Sequence, residues 1–229
     1  MPEPGRHPEP PPDFQSRVLP IISLGGSFFR SHYRHHPPLN FGRTGRNRFD
    51  DPLGDYSVLY AGRDIFTAFI ETFGQETGIR TLTTEELRSR SLTEFYPAGP
   101  LLLVDLASTG CLARIGADSR LFAGERMVAQ RWSRALYDHP SARLAGIHGI
   151  LYPARHDHTR HAVAIFNRKD LPRLEIIRSD SWYGEDGESR SNLAAVLTVY
   201  GFSLVETVTH PEGKKPGTAG VSQGSLFEE

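Results

Sequence analysis

Apolar residues recur along this chain in two rhythms, and the switch between them marks out its elements. From Asp64 to Phe73 they fall at helical spacing, with Phe66, Phe69, Ile70 and Phe73 on one side, so this stretch predicts a helix capped by Asp64. Short runs rich in aromatic and β-branched residues predict strands at Ser27 to Arg30, Val58 to Ala61, Gly149 to Tyr152, Ala162 to Phe166 and Leu174 to Ile177. Leu101 to Leu106 reads as a buried strand after Pro100. Thr84 is placed to cap a second helix, a third fits Gly124 to His139 with Pro140 as its stop, and Leu193 to Tyr200 makes a fourth before a strand from Ser203 to Val208. Strands and helices do not alternate in regular βαβ units. The expected class is therefore α+β, mixed sheets with packed helices, rather than a doubly wound sheet.

Both ends of the chain depart from these rhythms. Residues 1–15 hold Pro8, Pro10, Pro11 and Pro12 and too little apolar surface to offset the entropy of ordering, so they are expected to be a disordered lead. Residues 211–229, with Gly213, Lys214, Lys215, Gly217 and Gly220, are expected to be a flexible tail. One folded domain over 16–210 is left between them, without internal repeats.

Composition narrows the function classes. The chain has 229 residues, enough for a single self-supporting core, and its 26 basic and 27 acidic residues exert no global pull toward nucleic acid or membrane. Cys111 is the sole cysteine, so no internal disulfide forms and a reducing compartment is expected. The start shows no basic-then-apolar signal pattern, and no apolar run approaches a membrane span, which together read as cytoplasmic.

The informative chemistry sits in one short stretch. Arg48 follows Asn47 and precedes Phe49-Asp50, Tyr60 lies in a strand-like run, and Glu71 falls on the predicted helix among Ala68, Phe69, Ile70 and Phe73. A guanidinium, a phenol ring and a lone carboxylate suit an anionic ligand that carries an aromatic group. A carboxylate on an apolar helix is costly to bury without a partner, which marks Glu71 as a site candidate. The plain alternative is an ordinary ion pair with an arginine. Tyr60 likewise has a plain alternative as a core tyrosine with its hydroxyl satisfied.

Phe29-Arg30, Asn47-Arg48-Phe49-Asp50, Leu59-Tyr60-Ala61, and Glu71 within its helix resemble the RES domain family in order and spacing. The stretch Gly149 to Arg155 followed by Ala162 to Phe166 is similar to the second half of that family, so the likeness spans roughly residues 27 to 170. The resemblance implies a toxin of a bacterial toxin–antitoxin pair that destroys NAD⁺ by hydrolysis or phosphorolysis. It also implies a fold similar to ADP-ribosylating toxins and a separately encoded DNA-binding antitoxin that blocks the site. It casts Glu71, Arg48 and Tyr60 as catalytic, and Arg30, Arg48, Tyr60 and position 154 as binding the dinucleotide. NAD⁺ is then a substrate, and no cofactor or metal is expected. The family is named for an arginine, a glutamate and a serine; Arg48 and Glu71 match the first two, while Ala154 stands at the serine position.

Those residue types fit the implied reaction. Glycosidases use two carboxyl groups because an alkoxide leaving group must be protonated. Nicotinamide leaves a cationic pyridinium as a neutral base, so one carboxylate suffices. Glu71 would stabilise positive charge at the anomeric carbon while holding a ribose hydroxyl. Arg30 and Arg48 would grip the diphosphate in the two-pronged manner of guanidinium groups. Gly25-Gly26 lacks the spacing of a dinucleotide-binding loop, so NAD⁺ rests on the resemblance alone.

Other signals compete. His156 and His158 would share one face of a strand, as a two-histidine metal site requires, but spacing fixes no third ligand, and a solvated turn is the simpler account. A metal-dependent hydrolase and a catalytically weakened RES-like binding protein are the alternative functions. Trp132 and Leu136 stand at core spacing on the third helix, and no basic stripe accompanies them, so direct nucleic-acid binding is not expected. Gln223 to Phe227 is similar to the peptide by which bacterial proteins dock on the DNA-polymerase sliding clamp, and an incidental match in a loose tail is its alternative.

Overall fold

A computed structural model describes residues 8–76 and 78–206 of the protein. Its elements run Ile21–Leu24 (β1), Phe28–Tyr33 (β2), Val58–Gly62 (β3), Ile65–Phe73 (α1), Thr81–Thr83 (β4), Thr84–Arg88 (α2), Arg90–Pro97 (β5) and Leu101–Asp105 (β6). They continue with Cys111–Ile115 (α3), Arg120–Ala123 (α4), Arg126–Asp138 (α5), Pro140–Ala145 (α6), Gly149–Ala154 (β7), Asp157–Phe166 (β8), Leu174–Ser181 (β9), Gly187–Tyr200 (α7) and Ser203–Val205 (β10). Eight strands form one mixed sheet in the order β1-β6-β7-β8-β3-β2-β5-β9, and β10 pairs with β4 apart from it. Only β6 and β7 run parallel within the large sheet. The class is α+β, as the unpaired rhythm of the elements indicates.

Alternation sorts the strand residues onto two faces. Val58, Val104, Ile150, Ala164 and Phe166 pack against α5 through Val128, Ala129, Trp132 and Leu136. Their neighbours Leu59, Leu103, Leu151, Val163 and Ile165 build a separate cluster on the opposite face with Phe28 and Phe95. A third cluster joins α1 to α7, where Phe69 meets Trp182, Val196 and Phe202.

The helix expected from Asp64 forms as the pattern predicts. Asp64 Oδ1 accepts from the Thr67 amide at 2.7 Å, and Phe69 and Ile70 are buried. Gly62 lets this helix lie close against β3, since a Cβ there would come within 2.6 Å of Thr67 Cβ and 2.8 Å of the Ala68 nitrogen. Asp64 Oδ2 also pairs with Arg160, which pairs with Asp157, whose carboxylate accepts from the Tyr200 hydroxyl. This chain of contacts ties the start of β8 to α1 and α7.

Several expectations are corrected. The helix placed after Thr84 is capped by Thr83 and stops at Arg88, and the sequence from Arg90 turns into β5, because β2 and β9 offer hydrogen-bonding partners on both sides. Pro140 begins α6 as well as ending α5, since the first turn of a helix tolerates a residue without an N–H. The polar stretch from Asp157 to His161, expected as a turn, is the solvent-facing half of the ten-residue strand β8. Residues 8–15 belong to the folded unit and are no disordered lead. Trp132 Nε1 donates to the Pro8 carbonyl at 2.7 Å, Glu9 pairs with Arg131, and the buried Phe14 ring meets Trp132 edge-on at 5.2 Å. One aromatic anchor and one buried donor order a proline-rich segment that composition alone assigns to solvent. The peptide Gln223 to Phe227 and the tail from 211 lie outside the described residues.

Candidate functional site

Between β2 and β3 the sheet parts. Their one paired position is Phe29 opposite Gly62, after which the strands diverge. Arg30 Nη1 then reaches the Tyr60 carbonyl at 3.4 Å, on the side of β3 where strand pairing has ended. The opening is floored by Tyr60 and Ala162, walled by α1, and flanked by the loop that precedes β3. The resulting cleft holds about 690 Å³, within the usual range for a small-molecule site.

Charge in this cleft is one-sided. Arg30, Arg46, Arg48, Arg90, Arg126 and Arg155 line it, and Glu71 is the sole carboxylate among the lining residues. None of the six arginines forms an ion pair with a carboxylate among the described residues. Burial pushes the Arg30 guanidinium down to about 10, so it stays charged at neutral pH, and its Nε has no hydrogen-bond partner among the described residues. Arg48 donates to the Gly124 carbonyl at 3.0 Å, and burial together with the charge of Arg155 lowers its pKa. Arg90 lies over the Tyr33 ring at 3.9 Å. Such an array is suited to a multiply charged anion.

Glu71 projects from α1 into this cationic surround. Its Oε1 accepts from the Arg155 main-chain N–H at 2.7 Å, while its second oxygen has no partner among the described residues. Burial raises the carboxyl pKa, opposed by the Arg155 amide and by the charges of Arg155 and Arg48. Glu71 and Arg48 are thus brought together, and the sole acid faces the cleft rather than bulk solvent.

The loop carrying Arg48 is held from within. Asp50, 1 % exposed, accepts from the Tyr60 hydroxyl at 2.9 Å, the Thr44 hydroxyl at 3.1 Å, and the Asn47 amide groups of main and side chain. On α5, Gln130 donates to the carbonyls of Gly45 and Asn47 at 2.8 and 2.9 Å, and Ser133 donates to the Phe49 carbonyl at 2.7 Å. Tyr60 lines the cleft with its ring, but its hydroxyl is engaged by Asp50 and the Phe49 amide, and burial raises its pKa well above the ordinary value. What Tyr60 offers a ligand is a ring face and not a proton.

Ala154 does not line the cleft. It is fully buried at the end of β7, where the pairing with β8 shifts register between Pro153 and Ala154. His156 lines the cleft and His158 is exposed, and no group of three or more metal-binding side chains occurs among the described residues. Sequence reasoning missed Arg90, Arg126, Tyr152 and Arg155 as cleft residues. Arg155 stands in a quoted motif, yet nothing in its neighbours signals that its main chain meets Glu71. Arg90 and Arg126 reach the cleft through pairing and packing alone.

Among the described residues no helix is long and apolar enough to cross a membrane. A search of curated proteins found no match to this chain. Among solved structures the chain is similar to one in a crystal structure of the M. tuberculosis MbcT-MbcA toxin-antitoxin complex, with TM-score 0.58 and 16 % identity, over 76 % of this chain and 92 % of that one. At that identity the likeness speaks to fold. The RES domain family model matches residues 26–186, from just before β2 to Asp186, which caps α7, and covers every arginine of the cleft together with Glu71. Both the order of the motifs and the match across most of its length place this chain in the RES domain family.

Proposed function

We propose that this protein is an NAD⁺-degrading enzyme, the toxin of a toxin–antitoxin pair, that cleaves the nicotinamide–ribose bond. The observation that carries this reading is the lone carboxylate of Glu71 in a cleft lined by six arginines that form no ion pair with a carboxylate among the described residues. Arg30 and Arg48 bind the diphosphate, Tyr60 and Tyr152 supply aromatic wall, and the free oxygen of Glu71 faces the nicotinamide-bearing ribose. As the C–N bond breaks, its electron pair stays on the nicotinamide nitrogen, which leaves neutral and needs no acid. Positive charge then develops on the ribose, where the Glu71 carboxylate stabilises it. An acceptor oxygen, from water or inorganic phosphate, adds to the same carbon; with water, one proton is released. Partial burial strengthens each of these interactions relative to bulk water.

The likeness to a chain of a toxin-antitoxin complex supports a separately encoded antitoxin as the partner, and the action is proposed to be cytoplasmic. The test is incubation of the purified protein with NAD⁺, with and without phosphate, and identification of the products. Free nicotinamide with ADP-ribose identifies a glycohydrolase. Nicotinamide with ADP-ribose 1″-phosphate, dependent on added phosphate, identifies a phosphorylase. Intact NAD⁺ in both incubations refutes the reading.

A further inference from the structure

The mechanism above uses the ring of Tyr152 and leaves its hydroxyl without a task. Tyr152 is 7 % exposed, and its ring is wedged between Phe49, at 4.9 Å and nearly edge-on, and Phe122, at 6.4 Å and nearly parallel. Its hydroxyl has no hydrogen-bond partner among the described residues, yet the oxygen is not sealed from the cleft that the side chain lines. A tyrosine this deep ordinarily satisfies its hydroxyl, as Tyr56 does with Ser133 at 2.9 Å and Tyr60 does with Asp50. Leaving it unpaired sacrifices stability unless a ligand completes it.

We infer that the Tyr152 hydroxyl is a catalytic hydrogen-bond donor to the 2′-hydroxyl oxygen of the nicotinamide-bearing ribose, whose own proton is donated to the free oxygen of Glu71. This rests on the reading of the cleft as an NAD⁺-cleaving site. Burial and the negative charge of Glu71 hold the phenol well above its ordinary pKa, opposed by Arg48, so it is protonated and available to donate at neutral pH. Tyr152, Glu71 and Arg48 line the same cleft. No bond of the sugar hydroxyl is broken. The Tyr152 bond fixes the ribose so that its O–H points at the carboxylate, and Glu71 then lies against the carbon that becomes cationic. The hydrogen bonds tighten as charge develops, so the contribution is made in the transition state.

Tyr152→Phe keeps the ring and its packing and removes only the unpaired oxygen. Its melting temperature is expected to be no lower than the parent's, because no protein partner is lost and an unsatisfied buried hydroxyl is removed. With NAD⁺, kcat is expected to fall about ten- to hundredfold with little change in KM. The second arm uses the dinucleotide whose nicotinamide-bearing sugar is 2′-deoxyribose. With this substrate the parent and the variant are expected to react at nearly the same rate, since the oxygen that Tyr152 addresses is gone from both reactions. Equal rates of parent and variant on NAD⁺, or an equal loss on both substrates, overturns the inference while leaving the NAD⁺ reading intact. A lowered melting temperature in the variant makes the hydroxyl structural and also overturns it. A parent that cleaves neither dinucleotide overturns the underlying reading, and this inference with it.

Discussion

The main-chain N–H of Arg155 donates to Glu71 Oε1 at 2.7 Å, joining α1 to the corner between β7 and β8. The partner is an amide dipole, so one oxygen is oriented without direct neutralisation by a guanidinium. The other stays open to the cleft. Glu71→Gln retains an oxygen for that amide and deletes the charge. The variant is expected to fold normally and to lose NAD⁺ cleavage by about a hundredfold or more. Turnover equal to the parent's would exclude Glu71 as the charge-stabilising group.

A stability effect of opposite sign follows from the same residue. Burial raises the folded-state pKa of Glu71 above its value in the unfolded chain. A carboxyl with a raised pKa favours folding below the unfolded pKa, and that contribution is lost as pH rises through the folded pKa. Glu71→Gln should therefore melt above the parent at neutral pH, and the difference should shrink as pH falls toward the ordinary glutamate range. Thermal melts of both proteins across acidic to neutral pH measure it. The acid limb of the parent's activity should likewise lie above the ordinary carboxylate pKa, because the ionised form is the one required.

Arg30 is held charged and short of partners, which is costly in the empty cleft and useful when an anion enters. Arg30→Met has comparable length and no charge. We expect its melting temperature to rise by a few degrees, corresponding to about 1 kcal/mol. Affinity for ADP-ribose should fall about ten- to hundredfold, as expected for loss of charge-assisted hydrogen bonds. Calorimetric titration beside a thermal melt tests both; undiminished affinity would remove Arg30 from the binding site.

Asp50 gathers donors from Thr44, Asn47 and Tyr60, and so fixes the loop that presents Arg48. Asp50→Ala strands those donors and is expected to cost about 3 kcal/mol in chemical denaturation. The KM for NAD⁺ should rise with it, because Arg48 is no longer held in place. Denaturation and steady-state kinetics on the same sample show whether the two effects travel together.

Phe14 is buried against Trp132 and His139 although it follows a run of prolines. Phe14→Ala should cost about 3–5 kcal/mol and shift Trp132 fluorescence toward that of a wetter indole. No change in either would return residues 8–15 to the status of an unattached lead.

Residue patterns made much of this legible. The α1 helix follows directly from the spacing of Phe66, Phe69, Ile70 and Phe73 behind the Asp64 cap, because a helix face and an N-cap are local properties. Strand β3 was readable from its own residues for the same reason. Strand β5 was not, since its backbone conformation is set by β2 and β9 on either side, and a short capping box just upstream points to helix instead. Ala154 illustrates the same division: its identity is plain in the chain, but its burial is set by what packs around the end of β7, which residue types do not announce.

By itself the chain determined the α+β class, the kinship and the two chemically odd residues, Arg48 and Glu71. These rest on local periodicity and on side-chain identity. Only the tertiary structure decided that six arginines line one cleft with a single carboxylate, that the Tyr60 hydroxyl is spoken for, and that the Tyr152 hydroxyl has no partner among the described residues. The reason is physical. Charge, burial and hydrogen-bond satisfaction at a site depend on groups far apart in sequence, here Arg30 in β2, Glu71 in α1, Arg126 in α5 and Arg155 after β7, whose distances are fixed when the sheet opens and the helices pack.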